Sequence, residues 1–317
     1  MKKVVYKQFG NPDVLEIIET DAPRITQSEV LIQVKAVSIN PLDWKLFSGS
    51  QKMISGKKFP KMLGIDFSGI VTKIGNNSNE FKIGDEVFGA VKDPMKEGAL
   101  SEFIAVSTEQ ITLKPKSISF AQASAMTSVS APALKAFEKK VSLKKGQKVL
   151  INGSSGGVGM IAIQVAKRAG AVVTAVCGTE GLPFSKEWGA DFAIDYRKED
   201  VTKLKDEFDV ILELSGKLSF RQANSLMKAN TIFITLMGAG AMKELLIGKM
   251  STLFSKRKFH VLIAPSTSEV RERLVNFVEN GLVVHIDKSF TINDVRTAYT
   301  VVQKKGAIGK AVITIGE

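Results

Sequence analysis

Residues 149–159 read Val-Leu-Ile-Asn-Gly-Ser-Ser-Gly-Gly-Val-Gly, a short apolar run ending in three glycines spaced three apart, Gly153, Gly156 and Gly159. A helical pattern follows at once, with Val158, Ile161, Ala162, Val165, Ala166 and Ala169 on related faces. Strand, glycine turn and helix in this order bring backbone N–H groups and a helix N-terminus up to a pyrophosphate. Gly153, Ser154, Ser155, Gly156, Gly157, Val158 and Gly159 are therefore candidate cofactor-binding residues. Without the flanking strand and helix, the same spacing would mark only a tight turn.

Further short apolar runs follow at Val172–Val176, Phe192–Ile194, Val210–Leu214, Ile232–Leu236 and Val261–Ile263, most of them separated by helix-compatible stretches. Continuous apolar strands alternating with helices imply a parallel sheet buried on both faces. The expectation is α/β, a doubly wound parallel Rossmann sheet.

At 317 residues the chain is long enough for two domains, and 44% apolar with 24% charged residues is ordinary for a globular protein. Nowhere do eighteen apolar residues run together, so no membrane span is expected. Met1-Lys2-Lys3-Val4-Val5-Tyr6-Lys7 lacks the apolar region of a signal peptide. A single cysteine, Cys177, excludes an intrachain disulfide and fits a reducing, cytoplasmic setting. The net charge of +12 is spread in short lysine groups, and aromatics are only 7%, which argues against a nucleic-acid partner.

Residues 1–122 read differently from the middle. Strand-like stretches recur between turn signals such as Gly10-Asn11-Pro12 and Gly84-Asp85, as in a compact β-rich domain. The dinucleotide-binding domain spans 123–262. The remaining 263–317, with two helices and a closing strand, is too short for its own core and is expected to return to the first domain.

The chain resembles the zinc-independent, quinone oxidoreductase-like branch of the medium-chain dehydrogenase/reductase superfamily. The residues carrying the resemblance are Asn40-Pro41-Leu42-Asp43-Trp44-Lys45 with Gly49, then Pro60–Val71, then Phe81-Lys82-Ile83-Gly84-Asp85-Glu86-Val87-Phe88-Gly89. Gly98–Phe103, the turn Gly153–Gly159, Gly189-Ala190-Asp191, Ile194-Asp195-Tyr196 and Gly309-Lys310 complete it in family order over nearly the whole chain. The resemblance implies that the β-rich part is a GroES-like catalytic domain. It also implies NADPH as cofactor, with NADH open, and a homodimer paired through the edge strand near Val261–Ile263.

The zinc branch places a cysteine where this chain has Asn40, and Gly-His-Glu where it has Gly64-Ile65-Asp66. The only histidines are His260 and His285, and the lobe matching a structural zinc site has no cysteine, so no metal site is expected. Lacking a strong Lewis acid, the chemistry requires an acceptor that is already electrophilic, a quinone or an α,β-unsaturated carbonyl. By resemblance, Asn40 lies at the nicotinamide and Lys45 faces the acceptor, and these are the candidate catalytic residues. As residues alone, Asn40 reads equally as a turn residue before Pro41 and Lys45 as one more solvated lysine. Asp43 is expected to orient neighbours, and Tyr6 to pack a strand face.

Two departures stand out. Ala131-Pro132-Ala133 replaces Leu-Thr-Ala, removing a threonine near the nicotinamide, for which Thr127, Ser128 or Ser130 are possible substitutes. The second strand ends Val176-Cys177-Gly178-Thr179, without the acid that binds NAD ribose. Gly178 and Thr179 resemble the phosphate-accepting pair of NADPH relatives, and Tyr196 matches a family cofactor contact. Glu180, however, stands where those relatives often carry a base, and Lys186 and Arg197 are the available compensating cations. Pro132 and Glu180 favour the alternative reading, a regulatory or structural protein that binds NADP(H) without catalysis. The Met- and Leu-rich stretch 238–259 is expected to be a core-packed helix with a basic end.

Overall fold

The computed structural model describes residues 1–77, 80–236, 255–305 and 307–316. They form two compact units, one of residues 1–128 with 266–317 and one of residues 129–265. The boundary falls inside the helix Phe120–Leu134.

The first unit is built on β-strands. β1 (Lys2–Tyr6) lies between β2 (Leu15–Glu19) and β4 (Lys61–Met62) in an antiparallel sheet. β3 (Glu29–Ser38) is the long central strand of the larger sheet. It pairs antiparallel with β5 (Asp66–Ile74), β7 (Phe103–Ser107) and β16 (Lys310–Thr314). β6 (Glu86–Ala90) and β8 (Ile111–Leu113) extend the sheet on one side, and β15 (Ile286–Thr291) closes it on the other. The C-terminal segment thus enters the sheet beside the central strand rather than lying over it.

Alternating apolar residues of β3 and β5, among them Val30, Ile32, Val34, Phe67 and Val71, share one buried core with Val295, Ala298, Tyr299 and Val302 of the helix Val295–Lys305. Full burial of such side chains is worth about 1.5–3 kcal/mol each. The fully buried Arg271 ties Ser266, where the chain re-enters this unit, to the stretch before β8. It donates to the Ser266 and Glu109 carbonyls and to the Thr112 hydroxyl.

Among the described residues, the second unit holds six parallel strands in the order β11-β10-β9-β12-β13-β14. They are β9 (Lys148–Asn152), β10 (Val172–Cys177), β11 (Phe192–Asp195), β12 (Phe208–Glu213), β13 (Met227–Leu236) and β14 (Lys258–Leu262). The sheet starts at β9 and reverses direction between β9 and β12. This is the doubly wound order, and such sheets bind ligands at the carboxyl ends of the strands at that reversal. Among the described residues β14 is an edge strand. The fold is the α/β arrangement expected from the sequence, a Rossmann-type sheet with a GroES-like β-rich unit. Residues 237–254, most of the expected Met- and Leu-rich helix, lie outside the described residues; from Lys258 that stretch is strand β14.

Candidate active site

In the second unit, β9 runs into the glycine turn and then into the helix Gly157–Arg168. Gly153 has φ +86°, a backbone conformation that favours glycine. A Cβ on Gly159 would stand 2.3 Å from the Ser154 carbonyl oxygen, so only glycine lets the helix start this close to the turn. Over Gly156, the nearest protein atom to such a Cβ is 3.7 Å away. The middle of the turn is thus open on the side a ligand would approach, while the first-turn N–H groups have no acceptor within the helix. These features fit a dinucleotide pyrophosphate.

Ser154 lies on the inner side of the turn. Its N–H and its hydroxyl both bond the Val176 carbonyl, and the hydroxyl also meets Ser185 at 3.1 Å. It locks the turn to β10 from inside. Ser155, Gly157, Val158 and Gly159 remain at the helix start.

The ends of β10 and β11 lie side by side. The Thr179 hydroxyl donates to Asp195 at 2.5 Å, and the Tyr196 N–H donates to the Cys177 carbonyl at 3.1 Å. Arg197 passes over Gly178: a Cβ there would lie 3.3 Å from Cζ. Its Nη1 donates to both Glu180 oxygens, at 2.9 and 2.8 Å, and its Cζ lies 5.8 Å from the centre of the exposed Tyr196 ring. This hydrogen bond holds the Glu180 carboxyl below its ordinary range. Glu180 is therefore already neutralised by Arg197 rather than standing as a lone negative charge. Lys186, the other cation weighed from sequence, donates to the Asp191 carbonyl and lies over Phe192. Cys177 is a buried strand residue beside Ser185.

Asn152, at the end of β9, donates to Glu213 at 2.6 Å and to Ser215 at 3.0 Å, and Ser215 donates to Glu213 at 2.7 Å. This cluster, with Asn152 and Glu213 buried and Ser215 at its exposed rim, fixes the loop after β12 against Gly153, whose added Cβ would stand 3.0 Å from the Ser215 nitrogen. Nothing in the glycine spacing pointed to it, because Glu213 reads simply as the end of an apolar strand.

In the first unit, Asn40 caps the helix Pro41–Phe47, and its N–H donates to Asp43 Oδ2 at 2.8 Å. The Asn40 amide group donates to Asp66 Oδ2 at 3.0 Å and makes longer contacts at 3.3 Å to the Ser38 carbonyl and hydroxyl. Its oxygen accepts from Lys310 Nζ at 2.7 Å, which also donates to the Ile39 carbonyl. Asp66 further accepts from the Ser38 hydroxyl and from Ser128. The whole group is buried. Two carboxyls and one ammonium therefore share a dry pocket. Burial pushes both acids up, Asp43 to about 7, while the Lys310 charge pulls them back. Burial likewise pulls Lys310 down, against the charges of Asp66 and Asp43. The Tyr299 hydroxyl stands beside Asp43 and favours its charged form.

Sequence reasoning placed Asn40 and Asp43 in the site but missed Asp66 and Lys310 as its charged centre. The Gly309-Lys310 pair was seen only as part of the resemblance. Of the possible threonine substitutes, Thr127 donates to the Ala123 carbonyl and Ser128 to Asp66. Pro132 lies in the last turn of its helix, where it removes the N–H that would bond the Ser128 carbonyl. Lys45 is in the last turn of the helix that Asn40 caps, half-buried, and its ammonium has no partner among the described residues. Tyr6 packs against Phe9 and Phe59, and burial with the Asp43 charge pushes its hydroxyl to about 12.

Two family profiles match the chain, an alcohol dehydrogenase GroES-like domain over residues 26–116 and a zinc-binding dehydrogenase over residues 188–313. The chain is 32% identical to tomato (Solanum lycopersicum) 2-methylene-furan-3-one reductase, over 99% of this chain and 79% of that protein. It is 31% identical to the Arabidopsis thaliana chloroplast envelope quinone oxidoreductase homolog, over 99% of this chain and 98% of that protein. The structure of the quinone oxidoreductase from Coxiella burnetii superimposes with a TM-score of 0.90 at 28% identity, covering 100% of this chain and 99% of that one. The chain belongs to the medium-chain dehydrogenase/reductase superfamily, in its branch of quinone oxidoreductases and enone reductases.

The second family is one of zinc-binding dehydrogenases, and a catalytic zinc requires cysteine, histidine or carboxylate donors around an open position. At the Asn40–Asp66 position the donors are a neutral amide and a carboxylate already taking three hydrogen bonds, with a lysine ammonium 2.7 Å from the amide oxygen. A fixed ammonium repels a dication, and neither thiolate nor imidazole is present there. Among the described residues, no group of three or more His, Cys, Asp or Glu side chains could hold a metal ion. The residues at this position do not fit zinc.

Proposed function

We propose that the protein is a zinc-independent NADPH-dependent reductase of quinones or α,β-unsaturated carbonyls. The observation that carries this reading is the pocket of Asn40, Asp66 and Lys310, where a fixed ammonium sits among the donors and the donor set suits no Lewis-acid metal. An acceptor reduced here has to be electrophilic by itself, as quinones and enones are. Relatives bearing the names 2-methylene-furan-3-one reductase and NADPH-dependent alkenal/one oxidoreductase support the same chemistry.

NADPH supplies the hydride when bound. Ser155, Gly156, Gly157, Val158 and Gly159 would hold its pyrophosphate through backbone N–H groups, and Gly178, Thr179, Tyr196 and Arg197 its adenosine end. Asn40 has its amide held on both sides, so we assign it a positioning role: it fixes the start of the helix that carries Lys45. Lys45 faces the acceptor, stabilises the negative charge that develops on its oxygen, and is placed to return a proton.

The protein is a homodimer in this reading, through β14, whose outer edge is unpaired in the sheet and which is followed by the exposed Ile263. The lone buried cysteine supports a cytoplasmic setting. Among the described residues no helix is long and apolar enough to cross a membrane.

The test is loss of nicotinamide absorbance when NADPH is mixed with the protein and a panel of quinones and enones, before and after chelation of metals. Turnover of at least one acceptor class, unchanged by chelation, is expected. Tight NADPH binding with no turnover of any acceptor would favour the non-catalytic reading, and loss of turnover on chelation would overturn zinc independence. Light scattering tests the dimer.

A further inference from the structure

Met53 and Ile54 are the two most solvent-exposed large apolar side chains among the described residues, at 95% and 73% exposure, and they are adjacent. They sit on the short helix Lys52–Ser55. The turn that carries them is tightly built. The Gln51 N–H bonds the Lys45 carbonyl, Lys52 bonds Gly49, Ser55 bonds Gln51, and Gly56 bonds Lys52. Lys61 Nζ clamps the Ser55 carbonyl at 2.5 Å. Phe59, just beyond, is wedged edge-on against Tyr6 and Phe9. The two side chains are therefore held out in water by a formed turn anchored to the β1 sheet.

The charge around them has one sign. Residues 44–65 contain five lysines and no aspartate or glutamate. Lys52, Lys57 and Lys58 flank the apolar pair, are exposed, and make no ion pair among the described residues.

We propose that this knob is a membrane-surface anchor, with Met53 and Ile54 entering the acyl boundary of an anionic bilayer while Lys52, Lys57 and Lys58 meet its headgroups. Charge complementarity selects this occupant. Unbranched and flexible cations suit headgroups that offer charge without fixed geometry. A protein partner would instead favour aromatic and arginine anchors, and the exposed residues of this knob include neither. The net charge of +12 acts in the same direction at longer range. The proposal stands independently of the assigned reaction, although a bilayer is also where a lipophilic acceptor would be met.

The experiment is co-sedimentation of the full chain with phosphatidylcholine vesicles, with and without about one-third phosphatidylglycerol. Binding is expected only to the anionic vesicles and is expected to weaken with salt. Replacing both Met53→Ser and Ile54→Ser should weaken partition by about tenfold or more. Each lysine reversed to glutamate should cost at least about fivefold. The serine variant should keep the parent's melting temperature and its turnover of a water-soluble quinone. Three outcomes would overturn the proposal: no sedimentation with anionic vesicles, equal sedimentation of parent and serine variant, or vesicle-free light scattering in which the serine variant turns an oligomer into monomer. The last would mean that a second copy covers the knob.

Discussion

The ammonium of Lys310 lies 2.7 Å from the side-chain oxygen of Asn40, and through this contact a strand from the end of the chain holds the cap of a helix near its beginning. Among the described residues, Lys310 is the one cation facing Asp43 and Asp66 in their dry pocket. Lys310→Met leaves these acids without a counter-charge, and breaking a buried pair in this way typically costs about 3–5 kcal/mol. Chemical denaturation is expected to show a loss of that order, partly recovered in Lys310→Met with Asp66→Asn. Parent-like stability of the single variant would remove Lys310 from the centre of the network.

Asp43 predicts a pH dependence. Its carboxyl is held near 7 in the folded protein, whereas an unfolded aspartate releases its proton near 4. Between these values the folded state binds the extra proton. The stabilisation from Asp43 is therefore complete below about pH 4 and is lost as pH rises through about 7. Urea denaturation at pH 5 and pH 8 should show the parent losing more stability over this interval than Asp43→Asn. An equal change in both proteins would assign the pH dependence elsewhere.

Lys45→Met keeps the length and packing of the side chain and removes its charge. If the ammonium stabilises the oxyanion, its loss is felt in the transition state more than in the ground state. Turnover should fall by roughly tenfold to a thousandfold, while NADPH affinity, measured by fluorescence titration, stays within about twofold. Parent turnover with every responsive acceptor would make Lys45 a surface lysine.

Glu180 and Arg197 predict cofactor choice. The guanidinium that would meet a 2′-phosphate is shared with the Glu180 carboxylate. Glu180→Gln releases it and should tighten NADPH severalfold with little change for NADH; Arg197→Gln should weaken NADPH and leave NADH nearly unaffected. Titration of both cofactors against both variants measures this. Equal shifts for the two cofactors would place the pair away from the phosphate.

The parallel sheet was legible because its signals are local. β9, the turn and the first helix are consecutive, and their apolar periods can be read from neighbouring residues. Asn40 and Asp43 were legible for the same reason, as a cap and its third residue. What joins them to function was not. Asp66 and Lys310 come from β5 and β16, and only the antiparallel pairing of both strands with β3 brings them to Ser38 and Asn40. For Glu180, the sequence offered Lys186 and Arg197 as counter-charges without choosing between them. Sequence placed a repelling acid at the phosphate position, but the parallel register of β10 and β11, with Cys177 opposite Asp195, brings the next turn's arginine across it. Met53 and Ile54 carry no periodic signal, so their exposure became visible only in three dimensions.

The insertion of β16 beside β3 also orders events during synthesis. When β3, the capped helix and β5 leave the ribosome, Asp43 and Asp66 lack the Lys310 charge with which they are buried, and the site of β16 is open beside Ala36–Ser38 at the end of β3. The entire dinucleotide-binding unit is translated before Lys310 arrives. Until then the nascent β-rich unit has a bare strand edge and an acidic seam that is better solvated than closed. Its last fold is therefore set from the far end of the chain, and a truncated product would present both defects to the cell's quality control.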